Sequence, residues 1–217
     1  MTGSPAAGEA TRILAIRHGQ TAWNADSRIQ GHTDIELDAL GLQQAQRLAA
    51  ALAGEPLHAV YSSDLARARQ TAAPLAARAG LALRIDSGLR ERHFGDFEGL
   101  SFAQIEQRWP EQALRWRRRE PDFGPGGGEV LRDFRARVVA TVERLARAHR
   151  GQCIALVTHG GVLDLLYREA TRLALDAPRT WELGNAGINR LLHHGEGLVL
   201  VGWGDMGHLE GASHAPG

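Results

Sequence analysis

The chain has 217 residues, which is enough for one well-buried domain and does not require two. Its 25 Lys and Arg residues equal its 25 Asp and Glu residues in number, so the formal net charge is zero. A chain without a large field of one sign is not a general nucleic acid binder and is not recruited by anionic lipid.

The sequence predicts a cytoplasmic protein without membrane association. No apolar run approaches the roughly 20 residues that span a bilayer, and the start of the chain has neither the basic region nor the apolar core of a secretory signal. The single cysteine, Cys153, has no partner for an internal disulfide, which fits a reducing compartment.

Short apolar runs typical of strands alternate with longer segments of helical periodicity. The predicted strands are 13–16, 58–63, 81–85 and 153–157, and the predicted helices are 39–54, 64–80, 129–151 and 161–175. Strands separated by helices of this length predict right-handed crossovers and a mainly parallel sheet covered on both faces. Residues 188–203 differ, because two apolar runs flank a glycine-containing turn and predict a C-terminal hairpin at the sheet edge.

These elements predict a single domain over residues 12–205. The ends, 1–11 and 206–217, are rich in small residues and are predicted to be a disordered N-terminal tail and a loose C-terminal tail. Residues 101–128 interrupt the alternation with three prolines and three consecutive glycines. We expect them to form an insertion over one end of the sheet, above the site.

Arginine and histidine residues follow the predicted strands, where parallel sheets bind ligands. Arg17 and His18 come directly after the first strand, Arg67 lies about one helical turn beyond the second, and His159 and Gly160 follow the strand at 153–157. Arginine presents a planar set of donors that matches phosphate oxygens, and a neutral imidazole can attack phosphorus. The sequence therefore predicts a site for a phosphate dianion, with one histidine as nucleophile and the other as hydrogen-bond donor.

Phosphoryl transfer to a histidine also needs a proton donor for the leaving oxygen. The segment that follows the third predicted strand offers four candidates, Glu91, His93, Asp96 and Glu98. Their spacing alone does not choose among them, and all four are equally compatible with ordinary polar residues of a loop.

Four motifs occur in order along residues 12–203, namely RHGQT with WN, YSSDLARARQTA, LRERHFGDFEG and VTHGG. In this order they resemble the histidine phosphatase superfamily, also called the phosphoglycerate mutase-like family. The resemblance implies an α/β fold, a three-layer sandwich whose mostly parallel central sheet is flanked by helices. It also implies an enzyme that acts on a small phosphorylated substrate and requires no metal or other cofactor.

The resemblance implies roles for the residues that match the motifs. His18 is the expected nucleophile, which becomes phosphohistidine, and Glu91 is the expected acid for the leaving oxygen and then the base for water. The expected catalytic residues are His18, Glu91, Arg17, Arg67 and His159. The residues expected to bind the substrate are Arg17, Asn24, Arg67, His159 and Gly160.

The expected function is a phosphomonoesterase that hydrolyses a small phosphorylated metabolite. Mutases of this family carry a longer insertion that keeps water out, and this chain has only 101–128 for that purpose. The segment ERHFG nevertheless resembles the mutase version of its motif, so phosphoglycerate mutase-type transfer is the alternative. A catalytically silent phospho-ligand binding protein is a third possibility, and the presence of all five expected catalytic residues weighs against it.

Three further features bear on specificity and assembly. The arginines in Arg115–Arg119 could reach a substrate carboxylate or second phosphate, although such a run is more often the solvated face of a helix. Val130 stands where the resembled family commonly has serine, which puts any contact of that hydroxyl in doubt. An exposed sheet edge is compatible with a homodimer.

Overall fold

The computed structural model of the protein describes residues 10–210. The strands in this part of the chain are β1 (Thr11–Arg17), β2 (Ala59–Ser62), β3 (Leu83–Ile85), β4 (Cys153–Thr158), β5 (Ile188–His194) and β6 (Gly197–Asp205). The α-helices are α1 (Ala22–Ala25), α2 (Ala39–Ala51), α3 (Ala66–Arg78), α4 (Phe102–Arg108), α5 (Pro110–Arg117), α6 (Leu131–Ala148) and α7 (Gly160–Thr171). Within residues 10–210, no helix is long and apolar enough to cross a membrane.

The six strands form one sheet in the order β3-β2-β4-β1-β5-β6. Strands β1 to β4 run parallel, and β5 and β6 add an antiparallel hairpin beside β1. Helices separate the parallel strands in the chain and cover the sheet, as right-handed crossovers require. The predicted α/β sandwich with a mostly parallel sheet and a C-terminal hairpin at its edge is therefore confirmed.

Successive side chains of β1 face opposite sides of the sheet and enter two separate cores. Leu14 and Ile16 pack with the apolar faces of α2 and α3. Ile13 and Ala15 pack on the other side with α6 and α7. Because the strand is apolar on both faces, its sequence is an unbroken hydrophobic run rather than an alternating one.

The described structure extends the domain beyond its predicted ends. Thr11, predicted to lie in the N-terminal tail, begins β1, and its buried hydroxyl donates a hydrogen bond of 2.7 Å to a main-chain carbonyl of α6. Residues 206–210 include a short 3₁₀ helix, and a carbonyl within it accepts a hydrogen bond from Arg47 of α2. The other residues of the two predicted tails, 1–9 and 211–217, lie outside the described residues.

The insertion at 101–128 is more regular than its sequence indicates, because α4 and α5 occupy most of it. Ser101 caps α4, and its hydroxyl accepts a hydrogen bond from the main-chain N–H of Gln104. A small separate core fills the space beneath the two helices and consists of Phe97, Ile105, Ala113 and Phe123. The insertion is thus a packed part of the domain with its own small core rather than an open loop.

The carboxyl ends of β2, β4 and β1 lie side by side because β4 is hydrogen-bonded between the other two strands. In the register of the sheet, Arg17 pairs with Thr158, and Ser62 pairs with Val157. The segments that follow these three strands therefore meet at one edge, where the sequence predicts the phosphate site.

Candidate active site

A cavity of about 900 Å³ opens at this edge of the sheet. The predicted site residues that line it are Arg17, His18, Asn24, Arg67, Glu91 and Gly160. His159 lies behind this wall, and its ring centroid is 5.2 Å from that of His18. The structure therefore brings together all the residues that the sequence predicts for the site, although the chemical role of each residue stays a prediction.

His18 is held as a neutral imidazole by a contact between one ring nitrogen and the main chain. Its Nδ1 lies 2.7 Å from the carbonyl oxygen of Gly19. A carbonyl only accepts, so Nδ1 carries the proton and Nε2 keeps its lone pair. Burial, followed by the charges of Arg67 and Arg17, holds the pKa of His18 well below its ordinary value. This tautomer leaves Nε2 as the free nucleophilic atom.

The turn after β1 fixes the direction of the His18 ring. The N–H of Gly19 donates to the hydroxyl of Thr71 on α3 at 2.9 Å. A Cβ on Gly19 would lie 2.7 Å from the carbonyl oxygen of Gly41, so α2 packs too closely for any larger residue. On the other side, the Asn185 side-chain amide donates to the carbonyl of His18 at 3.0 Å.

His159 occupies the N-cap position of α7 without a side-chain capping hydrogen bond and is completely buried beside His18. Neither of its ring nitrogens has a hydrogen-bond partner among the described residues. Burial, with the charge of Arg67 next, holds the pKa of His159 well below its ordinary value. Unpaired buried polar atoms are costly and mark positions that a ligand can satisfy, so a ring N–H here suits an oxygen of a bound anion.

Arg17 and Arg67 are both anchored by main-chain carbonyls and keep donors free for a ligand. Arg67, which is fully buried, donates to the carbonyls of Thr33 and Gly31 at 2.9 and 2.7 Å. Arg17 donates to the carbonyl of Leu183, and the Nε of each arginine has no partner within residues 10–210. Burial lowers the pKa of Arg67 to about 10, which still leaves the guanidinium charged at neutral pH.

The surroundings of Glu91 in the structure distinguish it from the other three candidate acids. Its carboxylate accepts a 2.8 Å hydrogen bond from the N–H of Arg92 and another of 2.8 Å from the N–H of Gly161, at the start of α7. Burial raises the pKa of Glu91, and the two hydrogen bonds and the nearby arginines oppose that increase. Glu91 alone among the four lines the cavity, which places at the site a carboxyl whose pKa burial raises.

The other candidates have different surroundings. The Glu98 carboxylate accepts hydrogen bonds from the N–H and hydroxyl of Thr33 and from two further main-chain N–H groups. These four hydrogen bonds use both carboxylate oxygens to hold the loop. His93 stacks on His32 at 4.8 Å between ring centroids, and Asp96 is exposed. None of the three lines the cavity.

The two remaining predicted substrate contacts lie in the cavity wall. The Asn24 side-chain oxygen accepts hydrogen bonds from the N–H of Thr21 and from the amide of Asn185, which holds the short helix α1 against the site. Gly160 has only Arg17 near its missing side chain, at 3.6 Å from an ideal Cβ. Both residues therefore line the same cavity as Arg17 and His18, and their contact with a ligand stays a prediction.

The arginine run in the insertion divides between two environments. Arg115 and Arg117 form exposed ion pairs with neighbouring glutamates, as expected for the solvated face of a helix. Arg118 lines the cavity, and its side chain has no hydrogen-bond or ion-pair partner in the described residues. Arg119 lines the cavity as well and binds the buried carboxylate of Asp164 on α7 at 2.5 Å. Val130 occupies the N-cap position before α6 and makes no side-chain hydrogen bond there, in accord with the missing hydroxyl.

Asp164→Ala should lower the free energy of unfolding by about 3–5 kcal/mol, because it leaves buried charge unpaired. The Asp164 carboxylate also binds Arg168, whose side chain is 1% exposed, at 3.0 Å. Urea denaturation measures the change. Asp133→Ala is the matched control, since the Asp133 carboxylate is exposed and its contact with Arg132 is 3.6 Å long, and it should cost less than about 0.5 kcal/mol. Equal effects of the two substitutions would contradict a structural requirement for the buried pair.

Four contributors to the site were missed by reasoning from the sequence. They are Thr71, Gly161, Leu183 and Asn185, which bind Gly19, Glu91, Arg17 and His18. Thr71 lies one helical turn after Arg67, so a polar residue on the same buried helix face was a usable signal. Leu183 contributes only a main-chain carbonyl, and no side-chain pattern reveals such a contact.

Comparisons with known proteins agree with this geometry. The sequence model of the histidine phosphatase superfamily (branch 1) matches residues 13–206. "Phosphoglycerate mutase-like protein 4" of Arabidopsis thaliana is 41% identical over 203 residues, covering 91% of this chain and 86% of that protein. "Glucosyl-3-phosphoglycerate phosphatase" of Mycobacterium tuberculosis is 37% identical over 194 residues, covering 85% of this chain and 86% of that protein.

Solved structures share the fold over nearly the whole chain. A mycobacterial glucosyl-3-phosphoglycerate phosphatase complexed with VO3 has a TM-score of 0.80 at 36% identity, covering 88% of this chain and 98% of that one. A phosphoserine phosphatase from Entamoeba histolytica in complex with 3-phosphoglyceric acid has a TM-score of 0.82 at 27% identity, covering 92% and 99%. The predicted family and enzyme class, a histidine phosphatase, are confirmed by the family match and the phosphatase relatives. The chain belongs to the histidine phosphatase superfamily, branch 1.

Proposed function

We propose that the protein hydrolyses a small phosphorylated metabolite through a phosphohistidine on His18. The observation that carries this proposal is the neutral His18 imidazole, whose Nδ1 is committed to a carbonyl while Nε2 remains free beside Arg17 and Arg67. A buried neutral nucleophile next to two cations suits attack on a dianionic phosphoryl group. Relatives named for glucosyl-3-phosphoglycerate and for phosphoserine add support for a small organic phosphate as substrate.

In the first step, the lone pair of His18 Nε2 forms the bond to phosphorus as the ester P–O bond breaks. The leaving oxygen takes the proton of the Glu91 carboxyl and departs as an alcohol. Burial raises the pKa of Glu91, so more of this carboxyl is protonated near neutral pH than an exposed glutamate would be. The free donors of Arg17 and Arg67 and an N–H of His159 would bind the three non-bridging oxygens.

In the second step, the Glu91 carboxylate accepts a proton from a water molecule, whose oxygen attacks phosphorus as the bond to His18 breaks. This step regenerates the protonated carboxyl and the neutral imidazole and releases inorganic phosphate. Positioning and neutralisation of charge supply most of the rate, since the transferred group needs little other assistance.

Mutase activity is the second candidate, because relatives named as a phosphoglycerate mutase-like protein and as a probable phosphoglycerate mutase match most of the chain. The two activities differ in the acceptor of the phosphoryl group, which is water for a phosphatase and a second hydroxyl for a mutase. The broad cavity beside His18 gives water access to a phosphohistidine, which favours hydrolysis.

Purified protein should release inorganic phosphate from p-nitrophenyl phosphate and from a panel of phosphorylated metabolites at mildly acidic to neutral pH. A second assay would supply 3-phosphoglycerate with and without 2,3-bisphosphoglycerate. Formation of 2-phosphoglycerate without phosphate release would establish the mutase instead. Binding of phosphate without turnover of any compound would establish a silent phospho-ligand binding protein.

A cytoplasmic location and a homodimer are further proposals that follow from the sequence. Size-exclusion chromatography with light scattering tests the homodimer, and localisation of a tagged chain tests the compartment.

A further inference from the structure

The cavity extends well beyond the phosphoryl site and is lined there by both apolar and cationic groups. Apolar wall residues include Phe94, Trp116, Leu165 and Pro178. A pocket of about 900 Å³ has room for the organic part of a substrate as well as for its phosphoryl group. The cationic groups at this end indicate what charge the organic part carries.

Most arginines in this outer wall already have partners in the protein. Arg28 and Arg92 donate to main-chain carbonyls, Arg117 binds Glu106, and Arg119 binds Asp164. Within residues 10–210, Arg118 and Arg179 line the cavity, and the side chain of neither has a hydrogen bond or an ion pair. A guanidinium that faces a cavity and has no counter-charge is available to an anionic ligand.

Arg179 is the one of these two that lies toward the phosphoryl site. It belongs to the loop between α7 and β5, and the Leu183 carbonyl of the same loop accepts the hydrogen bond from Arg17. Its charge also acts on its neighbours. The pKa of Arg17 is lowered mainly by burial and further by the charge of Arg179, and the pKa of Arg119 is affected in the same way. An anion bound at Arg179 would relieve this repulsion.

The carboxylates of the cavity limit which anion fits. Glu91, Asp164 and Asp176 all line the wall, and Asp176 forms no ion pair with Arg179 within 4.0 Å. Asp164 is already paired with Arg119 and Arg168, so among the described residues Asp176 is the carboxylate of the outer wall without a counter-charge. A second phosphate would bring up to two negative charges near Asp176, whereas a carboxylate brings one. A carboxylate also matches the two parallel donors of a guanidinium.

We propose that Arg179 is a specificity-determining residue, which binds the carboxylate of a small phosphorylated hydroxy acid while its phosphoryl group lies at His18. This assignment deepens the proposed phosphatase function and rests on it. Because the loop that carries Arg179 also contacts Arg17 through the Leu183 carbonyl, the carboxylate is expected only a few bonds away from the phosphate ester.

The test compares two substrates that differ at one group. 3-Phosphoglycerate carries a carboxylate where glycerol 3-phosphate carries a hydroxymethyl group, and the ester bond is otherwise alike. Wild-type protein should have a kcat/KM about 10-fold or more higher for 3-phosphoglycerate, since one charge-assisted hydrogen-bonded contact is worth about that factor. Arg179→Gln should remove this preference by raising KM for 3-phosphoglycerate, while kcat/KM for glycerol 3-phosphate changes less than about twofold.

Arg69→Gln is the matched control, because Arg69 is an exposed arginine of α3 outside the cavity wall, and it should alter neither value. An equal loss on both substrates would make Arg179 a ligand of the phosphoryl group and would overturn the proposal. An unchanged kcat/KM of Arg179→Gln for both substrates would overturn the proposal as well. The proposed function fails separately, if no compound of the wider phosphoester panel is hydrolysed. If wild-type protein turns over neither of these two compounds, calorimetric Kd values decide the inference: Arg179→Gln must weaken binding of 3-phosphoglycerate and not of glycerol 3-phosphate.

Discussion

His18→Ala should lower phosphate release by at least about 10³-fold and abolish the covalent phosphoryl-enzyme. The substitution removes a ring nitrogen that lines the cavity with a free lone pair beside Arg17 and Arg67, because Nδ1 of the same ring is committed to the carbonyl of Gly19. The measurement uses a ³²P-labelled phosphomonoester, rapid quenching in base, which preserves phosphohistidine, and counting of label on the protein. Circular dichroism and thermal melting verify that the variant is folded.

Two comparison variants make this result specific. His159→Ala should still acquire label, although more slowly, because His159 acts as a donor to the phosphoryl oxygens rather than as the nucleophile. His194→Ala changes a histidine near the opposite end of β1 from the site, where Thr11 pairs with His193, and should behave as wild type. Label on His18→Ala, or its loss only in His159→Ala, would show that the nucleophile has been assigned to the wrong histidine.

Glu91→Gln should lower kcat for alkyl phosphates by about 10²–10⁴-fold, because glutamine keeps the shape of the side chain but cannot give up a proton. The decrease in the rate of the first step should be much smaller with p-nitrophenyl phosphate, because p-nitrophenolate can leave without being protonated. Since Glu91 also activates water, the variant should release one rapid equivalent of p-nitrophenol and then retain phosphohistidine. Rapid-mixing absorbance and base-quenched labelling measure these two events.

The pH dependence of the wild-type reaction provides an independent readout of the same carboxyl. The first step needs Glu91 protonated, and burial raises its pKa, so activity on alkyl phosphates should persist to a higher pH than an ordinary glutamate allows. Activity should then fall as pH rises through that pKa. Asp96→Asn, a change at an exposed carboxylate of the same loop, should retain both the rate and the pH profile. If Glu91→Gln had the kinetics of the wild type, the assignment of Glu91 as proton donor and base would be wrong.

Much of the fold was predictable because its elements have strong local signals. The apolar run at β4 and the helical spacing of apolar residues in α2 and α6 can each be recognised within a short stretch of sequence. Their alternation restricts the sheet to a parallel arrangement with helices on both faces, which is the observed one. Errors are confined to ends and irregular segments, such as Thr11 and the helices of the insertion, where local signals are weak.

The grouping of His18, Arg67 and His159 was predictable for a related reason. Each follows a strand in the chain, and the carboxyl ends of parallel strands share one edge, so topology alone brings these residues together. The choice of Glu91 among four acids was not available from spacing. It depends on the N-terminus of α7, where the N–H of Gly161 meets its carboxylate, far away in the sequence.

By itself, the sequence determined the fold class, the edge of the sheet at which the predicted site residues meet and the residue types that line it, because periodicity and strand order are properties of short segments and their succession. Only the tertiary structure decided the tautomer of His18, the surroundings of Glu91 and which arginines have partners. Arg119 is bound by a buried aspartate, whereas Arg179 has no partner among the described residues, and nothing in their local sequences distinguishes the two. Charges and hydrogen bonds are satisfied by whichever groups folding brings within about 3 Å, and those neighbours are set by the packing of the whole chain.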